Sequence, residues 1–522
     1  MADRGLSVDA SKDEATKLLA SLLNVLVDGS AVPTTTVRRM SWHQVLGHAD
    51  RDCFWERRAL ARRMFDAQLA AGLPALRLDV PWSVDSFTPV LQHASLLGRY
   101  APPERVAAIL ARAGRDAEAL EVEVKALVEA CAVAWQSAPL EQTVPTGVTR
   151  TASLRLPCRV VLAGGWTDTP PYTYAMGSRG GVLNYPVSLG GARTDDAMPI
   201  AVTATLRPTR AAGSPPIVVR ATAGGQTVDD STIGEAVVTV LDRISGAGST
   251  DTLAARLVAA RAQLELGSAV DGLPVGTGLG VSSIVALGLL TVARRVLVAD
   301  GPTDEAPGET HVLAALAVEA VMGSRGGWQD MVGGLPVSGP GSLGTMRHTT
   351  TEAGAVPALR TRVVDSLDVE TWNEHTCLLW SGTTRRAASV VASVASRLTV
   401  GDADAWSAMA TIDRLTGTFL EAAGESGRDG GYDRLGRVMT DIRRANERLD
   451  VTFCGPTLAP MVQWVESQRG VSGVHIVGAG AGGALLVVCA SPEDRETLVR
   501  RVEDDGVPGF PGAAVLPLKA VE

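Results

Sequence analysis

A glycine-rich loop that leads directly into an apolar helix constrains this chain more than any other feature. Residues 274–283 read PVGTGLGVSS, and residues 282–297 have the composition of a buried helix. Glycines let a backbone approach an anion and turn its N–H groups inward, while the helix N-terminus adds the positive end of a dipole. Such a loop is typical of phosphate binding, although a glycine turn that packs a helix on a sheet has the same residues.

This loop has neither of the two common nucleotide signatures. It lacks the Gly-Lys-Ser/Thr of a Walker A loop, and Gly276, Gly278 and Gly280 are spaced too evenly for the dinucleotide fingerprint. Ser282 and Ser283 follow the last glycine, so each hydroxyl is a candidate ligand for a phosphate or for Mg²⁺. The sequence therefore predicts a phosphate loop of a different kind.

A strand that ends in a glycine pair brings an aromatic and a carboxylate together. Residues 159–171 read RVVLAGGWTDTPP, which predicts a strand followed by a loop. Trp166 is a candidate to lie against a sugar face, and Asp168 to accept hydrogen bonds from its hydroxyls. Asp168 also suits a simple turn cap before Pro170.

Two acidic residues near a second tryptophan complete the candidate machinery. Asp330 lies within GGWQDMVGG (326–334), and a carboxylate held between glycines suits a general base. Glu319 lies on a predicted helix, where it is either an Mg²⁺ ligand or part of a solvated face. A last glycine segment, GAGAGG (478–483), is either a flexible hairpin connection or a loop over the site.

Composition excludes several classes of protein. The 522 residues are 46% hydrophobic and 20% charged with a net charge of −9, which indicates a folded chain of about three domains and argues against a nucleic-acid partner. The six cysteines form no C-x-x-C pair, so we expect reduced thiols. No apolar signal segment opens the sequence, and Arg294 and Arg295 interrupt the most apolar stretch (278–299). We therefore expect a cytoplasmic protein without a membrane span.

The pattern of elements changes near residue 150. Residues 1–150 are rich in Ala, Leu, Arg and Glu and read as helices, whereas strands and helices are mixed from residue 153 onward. We expect an α+β fold with a helical N-terminal extension. The predicted elements include strands at 153–165, 201–205, 217–221, 473–477, 484–489 and 514–518, and helices at 115–135, 252–266, 311–322, 403–423 and 432–449.

Five segments in this order resemble the GHMP small-molecule kinases, and within them the L-fucokinase branch. The segments are RVVLAGGWTDTPPY, PVGTGLGVSSI, SRGGWQDMVGG, LLWSGTTRRA and VGAGAGGALLVV, and the resemblance covers about 150–500. It implies a two-lobed α+β fold, with a ribosomal protein S5-like lobe at 151–345 and a ferredoxin-like lobe at 346–522. The helical region 1–150 faintly resembles the part that precedes the kinase in bifunctional fucokinase/guanylyltransferase proteins. A contact between copies of the chain is one role for it.

The resemblance also implies an activity, which is phosphorylation of a monosaccharide by ATP or GTP with Mg²⁺. The acceptor would be the anomeric hydroxyl of L-fucose or of a related deoxysugar or heptose. Asp330 resembles the base that takes the proton of this hydroxyl. Arg159 resembles the basic residue that lowers the pKa of the hydroxyl and steadies the phosphoryl group.

The remaining roles that the resemblance implies concern binding. The sugar would be bound by Asp168, Trp166 and Gln329. The nucleotide phosphates would be wrapped by Gly276, Gly278, Gly280, Ser282 and Ser283. The metal ion would be held by Ser282 and Glu319, and would offset charge as the phosphoryl group moves.

The sequence departs from the branch at three places. Val281 stands where a hydroxyl residue is usual, Ala481 interrupts a glycine run, and Tyr185 puts a bulky aromatic near the expected sugar. The first two keep open a catalytically silent protein that binds nucleotide or sugar. A kinase for a phosphosugar or a non-sugar alcohol also stays open, because Arg385 and Arg386, or else Arg179, offer cations for a second phosphate.

Overall fold

The computed structural model describes most of the chain from residue 116 onward. The described residues are 116–135, 144, 147–170, 172–192, 194–209, 214–223, 226–228, 231–245, 252–274, 276–298, 306–324, 326–335, 346–352, 356–383, 387–399 and 402–521. The helices predicted before residue 115 lie outside this part. We number helices and strands in chain order within it.

The first sheet carries the helix that follows the phosphate loop. Helix α5 (Val281–Leu297) is apolar nearly all round, so it is buried, and it packs on β1 and β4 and against α3 and α6. All strand pairs in this sheet are antiparallel except β5 with β7. The strand order is β1 (Arg150–Leu156), β4 (Ile200–Pro208), β7 (Ala262–Val270), β5 (Ile217–Ala223) and β6 (Gln226–Val228), and the two helices are α3 (Ser231–Ile244) and α6 (Glu309–Val321).

The second sheet is built around β3 (Ser178–Leu189). This strand pairs with β2 on one side and β8 on the other, and its end also pairs with the C-terminal strand β14. The short helix α7 (Gln329–Gly333) packs on β2 and β3. The partner strands are β2 (Cys158–Ala163), β8 (Met346–Thr351), β9 (Leu359–Val364) and β14 (Leu518–Ala520).

The third sheet is antiparallel and holds the last glycine segment at one end. Its order is β11 (Val471–Ile476), β12 (Ala484–Cys489), β10 (Thr376–Trp380) and β13 (Ala514–Val515). Residues 477–483 connect β11 to β12. The amphipathic helix α11 (Gly431–Leu449) covers β11 and β12.

The other helices complete these layers. Helix α13 begins where the sequence signals it, because the Ser491 hydroxyl accepts a hydrogen bond from the Asp494 N–H and Pro492 occupies the first turn. Helix α13 spans Pro492–Asp505, and the others are α1 (Asp116–Ala134), α2 (Tyr172–Met176), α4 (Leu253–Ala259), α8 (Val369–His375), α9 (Ala387–Thr399), α10 (Ala403–Ala423) and α12 (Gly455–Glu466).

The predicted α+β class is confirmed, but one predicted helix is half wrong. The helix expected at 252–266 ends at Ala259, and the chain turns at Arg261, whose φ is +50°. Strand β7 follows at once and pairs with both β4 and β5. Pairing on both edges of the strand outweighs the helical propensity of Gln263, Leu264 and Glu265. The strand expected at 153–165 is divided at Pro157 into β1 and β2.

Two compact units divide the chain. One comprises Val124–Ser396 with Ala403–Glu522, and the other Met1–Glu123 with Arg397–Asp402. The three sheets and the candidate site lie in the former. The boundaries predicted at 150 and 345 stay predictions, and the second sheet takes strands from both sides of residue 345. No helix among the described residues has the length and apolar character that a membrane span requires.

Candidate active site

The phosphate loop alternates its backbone conformation from residue to residue. Gly276, Gly278 and Gly280 have φ values of +81°, +79° and +75°, whereas Thr277 and Leu279 between them lie outside this left-handed region. Such alternation turns successive N–H groups toward one concave side that suits an anion. Helix α5 begins directly after Gly280 and adds its N-terminus to the same place. The backbone geometry therefore suits a phosphate group.

The last glycine segment is packed on this loop. A Cβ on Gly278 would lie 2.5 Å from the Val477 carbonyl oxygen, and one on Gly478 would lie 2.6 Å from the Gly278 oxygen. The Ala484 N–H also donates to the Thr277 carbonyl at 2.9 Å. Only glycine allows two main chains to approach so closely, so the third sheet supports the phosphate loop from behind.

Ala481, which interrupts the glycine run, fits into the backbone of the segment 478–483. Its φ is +62°, a conformation that non-glycine residues adopt only at a cost of about 1–2 kcal/mol. Its side chain is buried, and its N–H donates to the Phe453 carbonyl. Ala481 thus keeps the backbone path that a glycine would take.

Arg159 connects the phosphate loop to the candidate base. It lies on β2 and is only 2% exposed. Its Nε donates to Asp330 Oδ1 at 2.8 Å, a second guanidinium nitrogen contacts the same oxygen, and Nη1 donates to the Gly278 carbonyl at 2.7 Å. Its main-chain N–H donates to the Leu279 carbonyl. The planar guanidinium therefore fixes the distance between Asp330 and the loop.

Asp330 lies in the first turn of α7, and its side chain keeps 22% of its surface exposed. Arg159 holds Oδ1, while Oδ2 lies 3.4 Å from the Ser283 hydroxyl. Arg347 on β8 donates to the carbonyls of Val332 and Leu335, so the end of this short helix is anchored as well. The carboxylate is thus held rigidly at the edge of the site with one oxygen able to accept a proton.

Glu319 pairs with Ser283. The Ser283 hydroxyl donates to Glu319 Oε1, and Ser324 donates to Oε2. Burial raises the pKa of Glu319, and the charge of Asp330 adds to this effect, while the two hydroxyl donors oppose it. Ser282, the serine expected beside Glu319, is exposed at the start of α5. Helical geometry explains the difference, because adjacent residues project about 100° apart.

These oxygens fit the metal ion that the resemblance implies. Hard oxygen ligands suit Mg²⁺, and an ion that also binds nucleotide phosphates needs only one or two protein carboxylates. Glu319 supplies a buried carboxylate and Ser283 a hydroxyl next to the phosphate loop. No group of three His, Cys, Asp or Glu side chains in the described part of the chain is arranged as a metal site.

Residues 326–334, which carry the candidate base Asp330, form the candidate catalytic segment. Asp168 lies beneath this catalytic segment. It is 1% exposed, and its Oδ2 accepts a hydrogen bond from the Gln329 N–H at 2.8 Å. A Cβ on Gly327 would lie 2.0 Å from Oδ2, which explains the glycine there. Its other oxygen, Oδ1, is buried without a hydrogen-bond partner among the described residues. Burial raises the pKa of Asp168 to about 7.

This raised pKa predicts a stability difference that depends on pH. An acid whose pKa is higher in the folded state than in the unfolded state binds more protons in the folded state. Asp168 therefore contributes fully to stability below its unfolded pKa near 4, and this contribution is lost as pH rises through about 7. Replacing Asp168 with Asn removes this loss. We expect the variant to gain about 2 kcal/mol relative to the wild type between pH 5 and pH 8. Denaturant unfolding at both pH values measures it, and a constant difference would contradict the raised pKa.

The other expected sugar contacts surround Asp168. Trp166 is buried, has a φ of +83°, and accepts the Thr169 N–H at its carbonyl, so a tight turn sets its position. The Gln329 Oε1 atom is buried without a partner in the described structure. The structure therefore places Asp168 and Gln329 in contact, and Trp166 in the adjoining turn.

Tyr185 does not face this region, contrary to expectation. Successive residues of a strand point to opposite faces, and Tyr185 packs edge-on against Trp372 with ring centroids 6.0 Å apart. Its neighbour Asn184 points to the catalytic segment instead, where Nδ2 donates to the Gln329 carbonyl at 3.0 Å. Residue type singled out Tyr185, but the alternation of side chains along β3 brings Asn184 to this segment instead.

Sequence reasoning also missed three residues of the site. Ser324, Arg347 and Asn184 each contact a candidate site residue or the helix that carries it. Ser324 is the first residue of the SRGGWQDMVGG segment. Arg347 and Asn184 are brought together as a register pair of β8 and β3, which no local pattern reveals.

Of the cations considered for a second phosphate, Arg179 alone lies among the described residues. Arg385 and Arg386 lie outside the described residues. Arg179 is exposed at the start of β3. Val281 opens α5 in a partly exposed position.

Part of the chain matches a known protein family, and a larger part is similar to two curated proteins. The family model for the GHMP kinases C terminal matches residues 420–507. The chain is 28% identical over 363 residues to the bifunctional fucokinase/GDP-fucose pyrophosphorylase of Arabidopsis thaliana, covering 68% of this chain and 31% of that protein. It is 24% identical over 378 residues to the L-fucokinase/L-fucose-1-P guanylyltransferase of Bacteroides fragilis, covering 68% and 36%. The chain thus spans about a third of the length of these relatives.

The galactokinase of Lactococcus lactis complexed with galactose superposes with a TM-score of 0.47 at 16% identity, covering 72% of this chain and 94% of that one. The C-terminal family match lies where the third sheet and its covering helices are found. The two fucokinase relatives each cover 68% of the chain. The chain is therefore similar to the GHMP kinases and, among curated proteins, to two fucokinase proteins.

Proposed function

We propose that this chain is a sugar kinase that transfers the γ-phosphoryl group of ATP to a monosaccharide. The single observation that carries the proposal is Arg159, which contacts the phosphate loop at Gly278 and the carboxylate of Asp330 at once. A phosphoryl donor and a proton acceptor are thereby held at a fixed separation. Positioning and electrostatic stabilisation supply most of the catalysis in phosphoryl transfer.

Each step of the proposed reaction has a residue to perform it. The N–H groups of the phosphate loop and the N-terminus of α5 bind the nucleotide phosphates. Asp168 and Gln329 orient the sugar, and Asp330 accepts the proton of the attacking hydroxyl through Oδ2. The guanidinium of Arg159 stabilises the negative charge of the transferring group. Glu319 and Ser283 would hold Mg²⁺, which supplies charge neutralisation between the phosphate oxygens when bound.

The acceptor that we propose is the anomeric hydroxyl of L-fucose, or of a related deoxysugar or heptose. The similarity to fucokinase relatives supports it. GTP stays an alternative donor. The same proposal includes a cytoplasmic location and a contact between copies of the chain. Its binding partners are a monosaccharide and a nucleoside triphosphate.

The experiment that tests this function is ADP release across a panel of sugars with ATP or GTP and Mg²⁺. The panel contains L-fucose, D-arabinose, D-mannose, L-galactose, a heptose and a heptose phosphate. Turnover with L-fucose supports the full proposal, and turnover with another sugar keeps the reaction and changes the substrate. Nucleotide binding by calorimetry without product from any sugar would instead support a silent binding protein.

The two adjacent serines provide a matched test of metal binding. Because Ser283 and not Ser282 contacts Glu319, we expect Ser283→Ala to raise the Mg²⁺ concentration for half-maximal activity by about 10-fold, the loss of one ligand interaction of about 1.4 kcal/mol. Ser282→Ala is expected to change it less than about 3-fold. Mg²⁺ titrations at saturating nucleotide measure both values. The reverse order would assign the metal to Ser282.

A further inference from the structure

The residue that precedes the candidate base is held at both of its main-chain polar groups. The Gln329 N–H donates to Asp168 Oδ2 at 2.8 Å, and its carbonyl accepts from Asn184 Nδ2 at 3.0 Å. Both of these side chains are buried, at 1% exposure for Asp168 and 0% for Asn184. The backbone that leads into Asp330 is therefore clamped between two side chains from different parts of the chain.

Both side chains of this clamp, and that of Gln329 itself, have a buried oxygen without a partner. Asp168 Oδ1, Asn184 Oδ1 and Gln329 Oε1 are all buried, and none has a hydrogen bond to any described residue. The orientation of the Asn184 amide is not in doubt, because the Gln329 carbonyl can only accept, so Nδ2 must face it and Oδ1 must face away. Turning the amide over would bring two oxygens together.

Three unpartnered acceptors around one residue indicate a ligand. A buried polar atom without a hydrogen-bond partner is unfavourable, and most buried polar atoms in native proteins have one. The amide oxygens of Asn184 and Gln329 are acceptors, and Asp168 Oδ1 accepts when its carboxyl is ionised, so the group that satisfies them must present several donors. A sugar with free hydroxyls does so, whereas a phosphate or a carboxylate would meet like partial charges.

We propose that Asn184 is a specificity-determining residue, whose Oδ1 accepts a hydrogen bond from a sugar hydroxyl other than the one that is phosphorylated. Its Nδ2 ties this contact to Gln329 and so to the backbone of Asp330. Substrate recognition and placement of the base thereby share one side chain. The inference rests on the proposed sugar kinase activity and adds to it a residue that reads the acceptor.

The test is a comparison of Asn184→Leu with the wild type on the panel sugar that the wild type uses, and on its monodeoxy analogues that each lack one hydroxyl. Leucine has nearly the same shape and no acceptor. We expect kcat/KM to fall about 10- to 100-fold on the parent sugar, the cost of one buried hydrogen bond. Because leucine also removes the hydrogen bond to the Gln329 carbonyl, some loss of kcat is expected on every sugar. On the single analogue that lacks the recognised hydroxyl, the loss in kcat/KM should be about 10-fold smaller than on the parent sugar. An equal loss on every analogue would overturn the assignment.

A second variant separates recognition from positioning. Asn184→Asp keeps an oxygen for the hydroxyl but places another against the Gln329 carbonyl. We expect this variant to lower kcat and to keep the order in which the wild type ranks the analogues by kcat/KM. If Asn184→Leu fails to fold, the same ranking measured with Asn184→Ala decides the question. A changed ranking in Asn184→Asp together with an unchanged one in the apolar variant would also overturn the assignment.

The neighbouring residue supplies the matched control. Tyr185→Phe alters a side chain on the opposite face of β3, so kcat/KM on every analogue should stay within about 2-fold of the wild type. A nucleotide-induced rise in melting temperature shows that each variant is folded. A wild type that phosphorylates no sugar overturns the proposed function and this inference with it, whereas an active wild type with a uniform loss in Asn184→Leu overturns only the role of Asn184.

Discussion

Replacing Asp330 with Asn is expected to lower kcat by about 10²- to 10⁴-fold, the usual contribution of a general base. The amide keeps the size of the side chain and offers an oxygen to Arg159, but it cannot take the proton of the sugar hydroxyl. The structure leaves Oδ2 for that proton, because Arg159 occupies Oδ1. We expect the KM values for sugar and nucleotide to change much less than kcat. ADP release at saturating substrates measures the effect.

Two controls make this result specific. Glu352→Gln removes a carboxylate whose side chain is 73% exposed and paired with Arg360, so it should keep full activity. Nucleotide should still raise the melting temperature of Asp330→Asn. An Asp330→Asn enzyme whose kcat stays within a few-fold of the wild type would show that another group, or none, accepts the proton. If no group accepts the proton, a loose transition state for phosphoryl transfer would explain the retained activity.

Replacing Arg159 with Met is expected to lower kcat/KM by about 10³-fold, because one guanidinium serves both halves of the site. The variant loses the positive charge beside the transferring group, a term of about 3–4 kcal/mol. It also leaves Asp330 without its cation and the Gly278 carbonyl without its donor. Unlike Asp330→Asn, this change should raise the KM for nucleotide as well, since the loop loses an anchor. Steady-state kinetics with nucleotide varied separates the two behaviours.

A conservative variant shows what the shape of arginine contributes. Arg159→Lys keeps the charge but cannot span Asp330 and Gly278 with a planar group, so we expect an intermediate loss of at least about 10-fold. Arg155→Met is the control, because Arg155 lies on β1, is 35% exposed, donates to the Met198 carbonyl at 3.3 Å and pairs loosely with Asp271 at 3.9 Å. It should be close to wild type. Full activity in Arg159→Lys would mean that charge alone is needed.

Much of the fold could be predicted because its signals are local. Helices α5, α10 and α11 lie within about two residues of their expected bounds, since their apolar patterns and flanking glycines act over a few residues. The error at β7 has the opposite origin. The sequence of β7 does not indicate that the strand lies between β4 and β5. Its helical propensity is overridden only when these strands pair with it in the sheet.

The residues of the candidate site also fall into two classes: those that the local sequence reveals and those that only the packing reveals. The glycine motifs, Asp330 and Asp168 could be found because each stands in a distinctive stretch of sequence. The expected pair of Ser282 and Glu319 differs from the contact observed, because the rotation of a helix decides which of two adjacent serines faces inward. Asn184 and Tyr185 differ by one position on a strand, and the pleat alone decides which of them meets the catalytic segment.

The sequence by itself determined the α+β class and the glycine loops, because these depend on residue type and on spacing along the chain. The tertiary structure decided which side chains meet: Arg159 with Asp330, Asn184 with Gln329, and Ser283 with Glu319. These partners are 171, 145 and 36 residues apart in sequence. Strand register and helix rotation set such contacts, and both are fixed only when the sheets and helices pack together.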